Sequence, residues 1–114
     1  MELRIAGKRV KAIHLETYVL GTDRIISAVA KGGSAGVTDA RIWTSATYQD
    51  RVGIRVAGGP TWTYPGGSSA EGFPLGDLAA SEEKAIEIKV NLVAPPGRPG
   101  ENLIPLFVGH GGDI

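Results

Sequence analysis

Residues 73–93 read FPLGDLAASEEKAIEIKVNLV. Ile86, Ile88, Val90 and Leu92 are apolar at every second position, and Glu87, Lys89 and Asn91 fill the gaps. Successive side chains of a strand point to opposite faces, so this alternation predicts a strand with one buried face and one wet face. Upstream, Phe73, Leu75 and Leu78 supply apolar anchors, and Ala79-Ala80-Ser81-Glu82-Glu83 is short and polar enough to turn the chain. The stretch predicts two strands joined by a tight polar corner, with the rest of the chain packed against this pair as further strands.

Moving outward, the same period recurs. Residues 51–57 set Val52, Ile54 and Val56 against Arg51, Gly53 and Arg55. Residues 37–47 set Ala40, Ile42, Thr44 and Ala46 against Arg41, Trp43 and Ser45, with Tyr48-Gln49-Asp50 as the turn between the two runs. Residues 24–30 form a short run rich in β-branched residues, closed by Lys31 and followed by the Gly32–Gly36 loop GGSAG, which reads as a flexible linker. Residues 10–20 place Ile13, Leu15 and Val19 on one face. Residues 103–109 are apolar on both faces, which suits an interior strand or one covered by a partner, and Pro105 predicts a locally unpaired edge. Leu3 and Ile5 alternate with Glu2 and Arg4, followed by the turn Ala6-Gly7-Lys8. That segment is either a first hairpin or an arm laid on a neighbouring subunit.

Composition points the same way. The chain has 114 residues, enough for one domain with its own core. Its 17 glycines and 7 prolines cut it into short pieces, and almost no segment holds a helical apolar stripe. The expected class is all-β: a sandwich of about seven strands, the number typical of an immunoglobulin-like fold. The expected organisation is an arm or hairpin over 1–8, a sandwich over 9–110 and a tail over 111–114. There are no cysteines, so disulfides and thiolate metal sites are excluded. Lys+Arg and Asp+Glu balance at 12 each, so no global charge attracts nucleic acid or an anionic membrane, and neither is expected as a partner. No apolar run approaches the roughly 20 residues of a membrane helix, and the N-terminus lacks the apolar core of a secretory signal.

The order LGDLAASEEKAIEIKVNLVAPPGRPGENLIPLFVG over residues 75–109 resembles the C-terminal half of bacterial and phage immunoglobulin-like domains. Leu75, Gly76, Leu78 and Ala79 look like the leucine-rich corner of those domains, with Glu82 and Glu83 near its acidic position. Pro95, Pro96, Gly97, Pro99 and Gly100 look like their connector between sheets. Thr38–Trp43 and Val52-Gly53-Ile54 look like their preceding strands. Ala80-Ser81 departs from the Pro-Gly often found at the corner. The resemblance covers most of residues 24–110 and implies a virion component, assembled in the host cytoplasm as capsid decoration or as a tail or baseplate accessory. Its partners would then be capsid or tail subunits or further copies of the chain.

Catalytic chemistry is not expected. No nucleophile elbow, phosphate loop or dinucleotide fingerprint occurs, and no cofactor is expected. Glu82 and Glu83 are adjacent, so in an extended chain they point apart and are badly placed to act on one bond. His14 with Glu16, and His110 with Asp113, offer two ligands each, too few for a metal site. The expected contact residues are Leu3, Ile5, Trp62, Tyr64, Arg51 and Arg55, with the loop 58–72 and the tail completing the interface. In the alternative reading, Trp62 and Tyr64 stack on a glycan and the chain is a carbohydrate-binding or adhesive module. In the plainer reading Trp43 packs in or beside the core, and Trp62 and Tyr64 cap the loop end or bury in a subunit interface.

Overall fold

A computed structural model describes residues 1–14, 23–48, 50–91 and 103–110. The expected continuation of a strand through Leu15 and Val19, the proline connector 94–101 and the tail 111–114 lie outside the described residues.

The chain is all-β. Ten short strands are present among the described residues: β1 (Glu2–Ile5), β2 (Lys8–Val10), β3 (Ala12–His14), β4 (Asp23–Lys31), β5 (Val37–Trp43), β6 (Val52–Val56), β7 (Phe73–Leu78), β8 (Glu83–Asn91), β9 (Leu103–Pro105) and β10 (Phe107–His110). They form a five-stranded sheet in the order β2-β1-β4-β8-β6, a three-stranded sheet in the order β10-β5-β7, and the pair β3-β9. Every strand pairing is antiparallel.

The centre is the β4–β8 ladder, which runs from Asp23↔Asn91 to Lys31↔Glu83. Alternation puts Ile86, Ile88 and Val90 inward at 1% exposure or less, as the two-residue period predicts. Ala28 and Ala30 join them from β4, Leu3 from β1, and Val52 and Ile54 from β6. The three-stranded sheet adds Ala40, Ile42, Phe73, Leu75 and Leu78 to the same core cluster, and the β3-β9 side adds Ile13, Ile104 and Leu106. Removing this apolar surface from water is the main driving force that orders the two layers.

The two strands of the quoted stretch do not pair with each other. β7 belongs to the three-stranded sheet and β8 to the five-stranded one, so the polar corner carries the chain from one layer to the other. The corner is a four-residue turn closed by Glu82 N–H to Ala79 O at 3.0 Å, with Ser81 at φ +58°. The Glu82 carboxylate accepts the Ala79 N–H at 2.8 Å, which keeps it at the surface while Leu78 is buried.

The loop after β4 makes the same change of layer beside it. Gly32 N–H donates to Glu82 O at 2.8 Å, and Ser81 N–H donates to Gly33 O at 3.1 Å. The expected flexible linker is thus a crossover packed on the corner. Glycine is required at 36, where φ is +78° and a Cβ would lie 2.7 Å from Leu78 O.

Lys11 and Pro105 mark two more changes of partner. β2 pairs with β1, whereas β3 pairs with β9; β9 then gives way to β10, which pairs with β5. The expected single strand over 103–109 is therefore two strands broken at Leu106, whose N–H donates to Lys11 O at 2.9 Å. Pro105 sits at the break, and its carbonyl accepts the buried Thr44 hydroxyl at 2.8 Å.

Candidate functional site

The N-terminal residues form the hairpin of the two alternatives. Ile5 pairs with Lys8 across a two-residue turn in which Ala6 and Gly7 both have positive φ, at +54° and +79°. Such a turn matches the right-handed twist of the strands it joins. Leu3 was expected at an interface, but alternation turns it into the core of its own chain at 1% exposure. Ile5 is half-buried against that core.

Three of the expected contact residues come together. The loop after β6 folds back so that Thr63 bridges Ile54 with two backbone hydrogen bonds of 2.8 and 2.9 Å. This places Trp62 and Tyr64 on the outer face of the five-stranded sheet, beside Arg55. Tyr64 lies over Gly53, where a Cβ would come within 3.2 Å of the phenol ring. A glycine inside a strand often marks such a close approach. The Arg55 guanidinium sits 4.2 Å from the Trp62 ring centroid and the Lys89 ammonium 4.8 Å from it; Lys89 is also 5.6 Å from the Tyr64 ring. Arg51 lies one row further along, where its carbonyl accepts the Asn91 N–H at 3.0 Å.

Strand register sets the outer face in rows. Ile25, Lys89 and Gly53 share one row, and Ser27, Glu87 and Arg55 the next. Arg4, Val29 and Ala85 share the third. The small side chains of the last two rows leave an open trough of about 720 Å³, bounded by the Ala6-Gly7 turn and by Ala57-Gly58. Its volume lies in the range of small-ligand sites.

One wall of the trough is an ionic knot. Glu87 Oε1 accepts from Arg55 Nε at 3.0 Å and from Gly58 N–H at 3.1 Å, and Arg55 Nη1 donates to Gly59 O at 3.1 Å. The Gly58 N–H first, and then Arg55, hold the Glu87 carboxyl below its ordinary value of 4.5. At the opposite side Arg4 Nη2 donates to Glu2 at 3.1 Å, which lowers the Glu2 pKa, and Arg4 Nε is buried with no acceptor among the described residues.

The other sheet presents a different surface. Trp43 is not in the core: Ala40, Ile42 and Thr44 take the inward positions, and Trp43 faces out. It pairs across the ladder with Phe107, ring centroids 6.0 Å apart and planes at 32°. Arg41, on the same outer side of β5, is in the other sheet from Arg51 and Arg55 and is bound to Asp39 at 3.3 Å and to Ala70 O at 2.9 Å.

Lys89, Ile25 and Gly53 carry the site but were not singled out from sequence. The alternation of residues 85–91 does mark Lys89 as outward, and a glycine inside an alternating strand is a signal of close approach. What brings them beside Trp62 is register between strands distant in sequence. Among the described residues no three of His, Cys, Asp and Glu gather as a possible metal cage. The histidine pairs considered above lean on Glu16 and Asp113, which lie outside the described residues.

Neither a family model, nor a curated protein, nor a solved structure matches this chain.

Proposed function

We propose that this chain is a non-enzymatic β-sandwich that acts by burying an outer sheet face against neighbouring protein subunits. The observation that carries this is the outer face of the five-stranded sheet. Ile25 is 52% exposed there and Tyr64 47%, beside the open trough. An apolar patch rimmed by polar groups is the usual mark of an interaction surface, and aromatic residues and arginine are enriched in such surfaces.

The setting we propose is a phage virion, as capsid decoration or as a tail accessory. That part rests on the resemblance of residues 24–110 to immunoglobulin-like domains. Supporting the finer fold reading is the run β1-β4-β8-β6, which has the neighbour order of the first, second, fifth and fourth strands of that fold once β7, which falls between β6 and β8 in the chain, is set aside. The three-stranded sheet departs from it, since β5 rather than a late strand is central. The glycan alternative has less support: stacking a sugar needs a free aromatic face, and both Arg55 and Lys89 already lie over Trp62.

The test is size-exclusion chromatography with light scattering, on the chain alone and mixed with capsid or tail subunits encoded beside it. Co-elution that is lost in Ile25→Asp/Tyr64→Asp, with the variant still folded, is the expected result. Co-elution unaffected by that variant, or no association with any subunit, overturns the proposal.

A further inference from the structure

We infer that the partner of this face is an extended protein segment carrying a carboxylate for Lys89 and, about four residues away, an apolar side chain for the trough. The inference rests on the protein-binding reading above and adds the chemistry of what is bound.

Charge decides the first half. Arg55, Arg4 and Arg41 each have a carboxylate within an ion-pair distance. Lys89 has none among the described residues; its ammonium meets only the faces of Trp62 and Tyr64. A cation held between aromatic rings has lost part of its freedom and of its water, so an anion arriving there meets a preorganised charge. Ile25, on the other side of Lys89, and Tyr64 supply apolar surface that shields the contact.

Geometry decides the second half. The trough is centred on the row of Val29 and Ala85, four residues along β8 from Lys89. At about 3.4 Å per residue that is about 14 Å, the distance from residue i to i+4 of an extended chain. Ser27, Val29 and Ala85 make a floor without large side chains, so one apolar side chain can enter between the two turns. Glu87, between the two positions, is already satisfied by Arg55 and Gly58, so it is not a free anion that would repel the ligand's carboxylate.

The experiment is an amide-shift titration of the isotope-labelled chain with nonapeptides bearing Leu at one position and Glu four residues on. Matched peptides replace Glu by Gln or by Lys. The expected result is shifts confined to residues 25–29 and 85–89 and the Trp62 indole. Binding should weaken about fivefold with the Gln peptide, as for a partly exposed ion pair. Lys89→Glu should reverse the preference toward the Lys peptide. Ala85→Arg, and separately Ser27→Arg, should fill the trough and abolish binding with the spectrum still dispersed.

Equal binding of the Glu and Gln peptides overturns the inference. So do shifts centred on Trp43 and Phe107, which leave the protein-binding reading standing on the other face. Preference for an acidic oligosaccharide over every peptide overturns both. If no peptide binds while the chain still co-elutes with its subunits and Lys89→Glu changes nothing, the inference alone fails.

Discussion

The two outer faces of this sandwich both carry aromatic rings and arginine, yet they differ in whether those groups satisfy each other. On the three-stranded sheet Trp43 stacks with Phe107, and Arg41 is bound to Asp39 and Ala70 O. On the five-stranded sheet Arg55 and Glu87 close on each other, but Lys89 has no carboxylate partner among the described residues and lies beside exposed Ile25 and Tyr64. Residue type does not separate the faces. What separates them is the cation without a carboxylate among the described residues, and that makes the five-stranded face the candidate for binding, although Phe107 is also 43% exposed on the other.

The chain has two tryptophans, and the fold places one on each face. Trp43→Phe leaves Trp62 as a reporter of the five-stranded side, and Trp62→Phe leaves Trp43 as a reporter of the other. The largest expected effect erases the comparison. Ile88 is fully buried in the core common to both sheets. Ile88→Ala should cost about 2–5 kcal/mol through lost burial and the cavity left behind, and in urea titration both reporters should shift together. Separate midpoints for the two reporters would show that the layers do not share one cooperative core.

Gly53→Val should damage one face selectively. Its side chain meets the Tyr64 ring and the Trp62 Cβ, and overpacking of this kind costs about 1–3 kcal/mol. Trp62 emission should change before unfolding while Trp43 emission does not. An unchanged Trp62 spectrum would mean that the aromatic loop does not lean on the sheet.

Acid sharpens the contrast further. The Glu87 and Glu2 pKa values are depressed in the folded chain by Gly58 and Arg55 and by Arg4. A depressed carboxyl contributes stability above its ordinary value, near 4.5, and loses it as the pH falls through the lower folded value. The Trp62 reporter should therefore respond in the native state below that pH, and Glu87→Gln should remove most of the response. A response that survives the substitution assigns it elsewhere.

The smallest effect is a gain. Ala6 holds φ +54° in the hairpin turn at the rim of the trough, where asparagine is better tolerated. Ala6→Asn should raise stability by up to about 1 kcal/mol without moving either reporter. A loss of stability would mean that the turn is not of this type.

Much of the fold was legible in the residues themselves. The alternations placed Ile86, Ile88 and Val90, Val52 and Ile54, and Ala40, Ile42 and Thr44 inward, and all are buried; Val56 and Ala46, set on the same faces by the same period, are exposed because β6 ends at Val56 and β5 ends before Ala46. Alternation is set by the pleat of a single strand, so it does not depend on what the strand pairs with. The turns at 6–7 and 79–82 were legible as turns for the same local reason. The expected count of about seven strands left out β1, which joins the five-stranded sheet, and missed two runs that change partner midway, at Lys11 and at Leu106, because a strand looks the same whichever neighbour it bonds.

Residue order alone therefore determined an all-β chain, the inward members of most strands and the wet position of Lys89. Only the tertiary structure decided that β7 and β8 part into different layers, that Leu3 is a core residue, that Trp43 meets Phe107, and that Lys89 stands beside Trp62, Tyr64 and Ile25. The reason is that a two-residue period is satisfied by any antiparallel partner. Which partner is chosen depends on the shared burial of segments far apart in the chain, and the candidate site is built from that choice.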